Sequence, residues 1–468
     1  MRGVSGPLWT SAEIEAATGG QASAPFEAVG VTFTSSEVEP GWLFVAMPGT
    51  VADGHDFVAA AFAAGAAAAL VSRPVDGPHV LVDDVPAALA ALARAARARM
   101  TGKVLGVTGS VGKTSTKEAL AAALERRHRG KVHRSLKSYN NHTGVPLSLA
   151  RMPRDSVFGV FEMGMNHPGE IRELTALVRP HVALITALAS AHIENLGSME
   201  AIADAKAEIA EGLEPGGIAI VPNDTLYRDR LVEAARRHAD RVVTFGTGNA
   251  DVAAIHAVRA SSGGSQVTAR LITSNLTYTV AQPGDHWVSN SLAVLAAVEA
   301  VGADLAAAGL ALGDLGGLKG RGERHRIPVD GGDALLIDES YNANPASMAA
   351  TLRNLAAEPV SGRRLAVLGT MLELGTHSDR EHADLAPRVI EGRVDELILV
   401  GEATAPLERA LAGRLPVTRV PDAAAATAAV LATLRAGDAV LVKASNGVGL
   451  AQLVERVAGA AAGKGFQP

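Results

Sequence analysis

Residues 106–115 read G-V-T-G-S-V-G-K-T-S and hold the residue types that bind a polyphosphate. An apolar run, 104–107, enters this stretch, and a helical pattern, 115–126, leaves it. A strand, a glycine-rich turn and a helix N-terminus make an anion cradle, because backbone N–H groups face the phosphate and the helix dipole favours negative charge. Gly109 and Gly112 let the backbone approach closely. Lys113 then lies over the terminal phosphates, and the Thr114 hydroxyl is placed for Mg²⁺. The loop departs from the standard Walker spacing, since Val107 stands where its first glycine is expected.

Four clusters downstream carry further chemistry. Glu162 follows an apolar strand pattern at 157–161, a place that suits a second Mg²⁺ ligand as well as it suits an exposed strand-end carboxylate. His192 and Glu194 follow the strand pattern 182–186; imidazole and carboxylate both ligate metals, yet a single histidine more often serves packing. Lys206 sits in a helical stretch, 199–212, between Asp204 and Glu208, and spacing alone reads it as part of a solvated charged face. Residues 319–326, K-G-R-G-E-R-H-R, form a basic turn whose arginine forks suit phosphate and whose position suits an interdomain linker. Beyond these, 338–345 follow a strand and precede a helix, where polar side chains can address a ribose or a base, and Asn290 is another possible base contact.

These residues need a scaffold, and 468 residues supply two to four domains. A net charge of -6 argues against nucleic acid as the main partner, and 3% aromatics leaves little for base-stacking platforms. The absence of cysteine excludes disulfides and thiolate chemistry and fits a reducing, cytoplasmic setting. Residues 1–10 lack a basic-then-apolar leader pattern, and the Ala-rich run 57–71 is shorter than the ~20 residues a membrane span needs, so it reads as a buried helix and a strand. Strand and helix patterns alternate through two blocks, the mark of parallel sheets covered on both faces. The expected class is α/β with three domains: residues 1–100, a central P-loop-type parallel-sheet domain at 101–326 with antiparallel strands at its edge (252–280), and a Rossmann-like C-terminal domain at 327–468. The last has no G-x-G-x-x-G opening, so a dinucleotide is not implied.

Taken together, these stretches resemble the Mur ligase family of ATP-dependent, amide-forming enzymes. The likeness rests on 108–115, Asn140-Asn141, 144–147, E-M-G-M-N-H-P-G-E-I at 162–171, Arg179-Pro180, 191–194, Gly197-Ser198, Ala205-Lys206, Glu208-Ile209, 320–325, S-Y-N-A-N-P at 340–345 and M-L-E-L-G at 371–375. It covers nearly the whole chain. The resemblance implies that ATP is bound by Thr108, Gly109, Ser110, Val111, Gly112, Lys113 and Thr114, with Arg321 on the phosphates, Asn290 at the adenine and Glu339 near the ribose. It implies Mg²⁺ held by Thr114, Glu162, His192 and a carbamylated Lys206, which reverses the reading of Lys206 from spacing. Lys113, Glu162, His192 and Lys206 would be the catalytic set, and Asn140, Asn141 and Asn166 would face the substrate.

The implied reaction joins D-alanyl-D-alanine to UDP-N-acetylmuramoyl-tripeptide through an acyl phosphate, in a monomeric cytoplasmic enzyme of peptidoglycan synthesis with no nucleic-acid partner and no membrane span. The first domain would hold the UDP-sugar. A P-loop switch or ATPase-driven binding protein that makes no amide bond, a sibling ligase adding one amino acid and a folate-polyglutamylating enzyme are the alternatives, and the runs 340–345 and 372–375 speak against the last two. Several positions depart from the family pattern: Thr34-Ser35-Ser36 replaces D-S-R, Thr370 a common Asp, Trp287 a common Asn, and Ala444 and Asn446 parts of K-G-S-R.

Overall fold

The computed structural model describes residues 6–49, 52–190, 193–260 and 263–463. Three sheets carry most of the described strands, and their order explains where the chemistry collects.

In the first, strands Gly30–Thr32, Trp42–Val45, Ala68–Val71 and His79–Leu81 run parallel, with Gln21–Ala22 antiparallel at one edge. The run at 57–71 resolves into a short helix, Val58–Ala63, and the buried strand Ala68–Val71. Helix Val85–Arg99 begins where the Asp84 carboxylate accepts the Ala87 N–H and Pro86 takes a first-turn position that needs no N–H. Its Leu89 and Leu92 pack into this first core, while Ala93 packs into the next. At its end Arg97 donates from Nε to Val178 O at 2.7 Å and from Nη2 to Arg179 O at 2.6 Å, tying the first sheet to the second.

The second sheet has nine strands. Lys103–Thr108 lies between Phe158–Glu162 and Val182–Ile185, parallel to both. All but Lys103 of these three strands is buried, as expected of strands covered on both faces. The polar patch after residue 250 forms the antiparallel edge Val252–Arg259, Ser265–Arg270 and Asn275–Val280. Because the inner strands are parallel, Thr108, Glu162 and Ile185 end at the same rim, where ligands of open α/β sheets bind.

The third sheet runs Glu323–Val329, Gly332–Glu339, Ala439–Lys443, Arg364–Gly369, Glu396–Val400, Val417–Val420 in space, all parallel except the first. Strand Glu323–Val329 crosses the expected 326/327 boundary and pairs with Gly332–Glu339, so the chain enters this sheet near Glu323 rather than Ile327. Helices Ser378–Ala383 and Ala386–Glu391 do not merge into one, because Pro387 lacks the N–H that a continuous helix would use. Glu339, Lys443 and Gly369 close their strands side by side.

Candidate active site

The glycine loop joins strand Lys103–Thr108 to helix Lys113–Glu125. Gly109 has φ +145° and Gly112 φ +83°, and neither position leaves room for a side chain. A Cβ on Gly109 would run into the Thr186 hydroxyl, and one on Gly112 would come 3.0 Å from Asn290 Oδ1. The loop is locked from the neighbouring strand: Thr186 Oγ1 donates to Val111 O at 2.6 Å, and Ser110 N donates to Ala187 O at 2.7 Å. That amide is therefore spent within the fold. The Thr108 and Ser110 hydroxyls are buried without a hydrogen-bond partner among the described residues.

Lys113 folds over the loop, its Nζ donating to Gly109 O at 2.8 Å. Burial lowers its pKa; the Glu162 carboxylate works against that, the Arg321 guanidinium adds to it, and Glu373 also favours the charged form. Thr114 donates its hydroxyl to Glu162 Oε2 at 2.8 Å and lies 3.2 Å from the Ser138 hydroxyl. Asn140 donates its amide to Glu162 Oε1 at 2.7 Å. Glu162 is 1% exposed and is the last residue of its strand, not the residue after it. The exposed strand-end reading of this carboxylate is thereby excluded.

Lys206 lies at 0% exposure on helix Met199–Ala207, and its Nζ has no hydrogen-bond partner among the described residues. The solvated charged face expected from spacing does not form. Asp204 points outward to Arg230 at 2.5 Å, and Glu208 turns inward to cap helix Glu170–Val178, accepting Gly169 N at 2.8 Å and Arg172 N at 3.1 Å. Burial, reinforced by the like charge of Lys113, drives the Lys206 pKa well below the ordinary lysine range; Glu208, Glu170 and Glu162 oppose this. A shift in this direction favours the neutral amine, which is the nucleophilic form. His192, expected as a metal ligand, lies outside the described residues.

The remaining expected residues divide. Asn290 is buried against Gly112 and is not among the residues lining a neighbouring cleft, which include Trp287, Gln282, Arg324 and Glu339. Glu339 stands 3.6 Å from the buried Lys443 ammonium. Burial raises the Glu339 pKa and lowers that of Lys443, and each charge opposes the other's shift. The basic turn disperses rather than acting as one patch. Lys319 pairs with Glu455 at 2.8 Å, Arg324 with Glu358 and Arg326 with Asp333 at 3.5 Å, while Arg321 lies 4.3 Å over the Tyr341 ring. Asn141 is engaged in the fold, its Oδ1 accepting Gly144 N at 2.9 Å at the start of helix Gly144–Ala150. Asn166 is exposed, with its backbone N–H on Glu170 Oε2 at 2.6 Å.

Thr186 and Lys117 escaped sequence reasoning. Lys117 is fully buried beneath the site, donating to Ser135 O at 2.8 Å and Lys137 O at 2.6 Å, with Glu118 at 3.0 Å and Glu162 at 3.9 Å. Its place one helical turn after Lys113 and Thr114 was the only available signal.

This arrangement can hold a triphosphate and an oxygen-liganded cation side by side. Comparison with known proteins gives family matches over three stretches of the chain. The family model described as Mur ligase middle domain matches residues 107–298, the Mur ligase, glutamate ligase domain matches 320–446, and the Mur ligase family, catalytic domain matches 27–97. The UDP-N-acetylmuramoyl-tripeptide–D-alanyl-D-alanine ligase of Escherichia coli (strain K12) is 37% identical over 80% of this chain and 81% of its own length. The ligase of the same name from Bacillus subtilis (strain 168) is 34% identical over 91% and 92%. Among solved structures, MurF from Acinetobacter baumannii superposes with TM-score 0.83 at 29% identity, covering 96% of this chain and 99% of that one. MurF from Thermotoga maritima in complex with ADP gives 0.76 at 27%, covering 93% and 98%.

Proposed function

The chain belongs to the Mur ligase family, and from that premise we infer that it joins D-alanyl-D-alanine to UDP-N-acetylmuramoyl-tripeptide at the expense of ATP. The observation that carries this reading is the agreement of sequence likeness over more than nine-tenths of the chain with a site in which Thr114 and Asn140 share the two oxygens of Glu162. The tripeptide carboxylate attacks the γ-phosphorus of ATP, ADP leaves, and an acyl phosphate forms. The amine of D-alanyl-D-alanine then attacks the acyl carbon, a C–N bond replaces the C–O bond to phosphate, and phosphate departs.

Two anions must meet in the first step. Lys113 neutralises the transferring phosphoryl group, and the locked loop fixes its line of approach. Mg²⁺ fits this site: the Thr114 hydroxyl and the Glu162 carboxylate offer oxygens beside the loop, and the buried, unpartnered Lys206 amine is suited to carbamylation. Attack of Lys206 on CO₂ with loss of one proton would make that amine an anionic oxygen ligand. Bound there, Mg²⁺ supplies charge stabilisation for phosphoryl transfer. Glu339 and Arg321 address the nucleotide from the C-terminal domain, Asn290 from the central one, and Asn140 and Asn166 border the substrate. Residues 1–100 hold the UDP-sugar, the central domain up to about residue 322 binds ATP, and the domain that begins near Glu323 closes the site. Action as a cytoplasmic monomer, and a need for the activity in cell shape and division, complete the reading.

A coupled assay tests it. ADP release should require both the tripeptide and D-alanyl-D-alanine, with single amino acids giving little. Release indifferent to the acceptor would make the protein a P-loop ATPase, and a preference for a single amino acid would make it a sibling ligase. Among the described residues no helix is long and apolar enough to cross a membrane.

A further inference from the structure

We propose that Glu323, His325 and Asp338 form a second divalent-cation site, for a transition metal such as Zn²⁺, on the hairpin by which the chain enters the C-terminal sheet. The site is separate from the phosphate loop and does not depend on the ligase reading.

The hairpin brings the three side chains together. Strand Glu323–Val329 pairs antiparallel with Gly332–Glu339, and Glu323 stands directly opposite Asp338. Opposed residues share a face of the sheet, and His325, two positions along from Glu323, shares it too. One ligand atom from each of the three lies within 4.8 Å of the others. Arg324 and Arg326 belong to the other face, where Glu358 and Asp333 take them.

Two carboxylates directly opposite one another destabilise a sheet unless a positive charge comes between them. Asp338, 2% exposed, accepts the Gly320 N–H on Oδ2 at 2.8 Å and the Ser340 N–H on Oδ1 at 3.0 Å. Those donors aim the carboxylate but carry no full charge. Lys319 feels both Glu323 and Asp338, yet its ammonium is held by Glu455 at 2.8 Å. His325 supplies the second observation. Its Nε2 is buried with no hydrogen-bond partner among the described residues, and it stands 3.6 Å from Glu323 Oε2, too far for a hydrogen bond. A cation bound there would satisfy the nitrogen and cancel the repulsion together.

The spacing and the donors narrow the ion. Ligands held by one tetrahedral Zn²⁺ lie roughly 3.4 Å apart, which the His325–Glu323 pair already matches. One imidazole with two carboxylates suits Zn²⁺ or a first-row neighbour, whereas Mg²⁺ asks for an octahedron of oxygens. Three protein ligands leave a fourth position for water, and the Glu323 and His325 side chains, 38% and 25% exposed, leave a path for the ion. The bound ion would brace the turn that carries Arg321, because Asp338 also receives the Gly322 N–H on its carbonyl at 2.8 Å.

The test uses the full-length protein, stripped with a chelator and titrated calorimetrically with Zn²⁺ in the absence of nucleotide. The Glu162→Gln variant is titrated in parallel, to set aside any ion bound beside the phosphate loop. Both proteins should take up Zn²⁺ at the hairpin. His325→Asn and Glu323→Gln should each weaken that uptake by at least the ~10–100-fold that even an outer partner of a metal contributes. Zn²⁺ should raise the melting temperature of the unsubstituted protein and of Glu162→Gln, and leave that of His325→Asn unmoved. Melting in chelator reports whether each variant is folded, and either hairpin variant alone suffices for the comparison. Uptake that vanishes in Glu162→Gln would assign the ion to the phosphate-loop site and overturn the proposal. Unchanged affinity in the folded hairpin variants, or no uptake by the unsubstituted protein, would overturn it too and leave His325 as the ion-pair partner of Glu323.

Discussion

Asn140 holds Glu162 by one oxygen, its amide donating to Oε1 at 2.7 Å, which leaves Oε2 to the Thr114 hydroxyl at 2.8 Å. The carboxylate is thereby oriented from the loop that follows strand Val132–Arg134 as well as from the P-loop helix. Partners that orient metal ligands typically contribute 10–100-fold to affinity or activity, so Asn140→Ala should lower kcat by about that factor. The loss should shrink as Mg²⁺ is raised. A loss independent of Mg²⁺ would place Asn140 on the peptide substrate instead.

Lys206 links stability to pH. Its folded pKa is lowered from 10.5, so between that lowered value and 10.5 the unfolded chain binds a proton that the folded chain does not. Stability from this group is complete above 10.5 and declines as pH falls through the window. Lys206→Met should abolish that slope and, in carbonate-free buffer, stabilise the protein by about 1–3 kcal/mol, since a buried amine without a partner is removed. Activity should fall by about 10²–10³ if the amine serves through its carbamate. Denaturant titrations at several pH values, with and without bicarbonate, check both parts. A less stable Lys206→Met protein in carbonate-free buffer would contradict the burial argument.

Gly109→Ala tests the lock on the loop. The new methyl would enter a positive-φ position and displace the Thr186 hydroxyl from Val111 O. Strain of this kind costs about 1–3 kcal/mol. Calorimetry with ATP should show weakened binding, and Thr186→Val should weaken it in the same direction with less effect on stability. Unaltered ATP affinity in both variants would show that the lock is dispensable.

Lys117 is a test of packing rather than chemistry. Its ammonium is enclosed by two carbonyls and by Glu118 and Glu162, so Lys117→Met leaves carboxylates facing one another without their cation. Removing one partner of a buried charged group costs about 3–5 kcal/mol. Denaturation midpoints should fall accordingly, and unchanged midpoints would show that the buried ammonium is dispensable.

What could be read in advance follows a physical rule. Lys113 and Thr114 were legible because strand, turn and helix are local, and the loop's chemistry is written within ten residues. The parallel sheets were legible from uninterrupted apolar runs such as residues 182–185. Thr186 was not, because its role arises only when strand Val182–Ile185 pairs beside Lys103–Thr108. Lys206 was misread from spacing because helix Met199–Ala207 tightens into a 3-10 turn at Glu208, which turns Glu208 inward and leaves Asp204 alone on the outside. The dispersal of the basic turn was not legible, since Arg324 and Arg326 share one face of Glu323–Val329 yet each meets a carboxylate, Glu358 or Asp333, that lies far off in sequence or across the hairpin.

Arg321 is the arginine of that turn that we propose addresses the nucleotide, and its support is aromatic rather than ionic. The guanidinium carbon lies 4.3 Å over the Tyr341 ring, an arrangement that aims the planar fork and is worth about 0.5–1 kcal/mol at an accessible site. Arg321→Lys keeps the charge but loses the fork and its stacking, so the KM for ATP should rise by about tenfold while the melting temperature holds. Tyr341→Leu keeps the fork but frees it, and should raise the same KM less than tenfold, by the factor that the stacking energy allows. If Arg321 acted only by long-range attraction, the two variants would resemble the unsubstituted enzyme at low salt. A rise in KM that persists at low ionic strength therefore separates directed hydrogen bonding from simple charge, because screening weakens the second far more than the first.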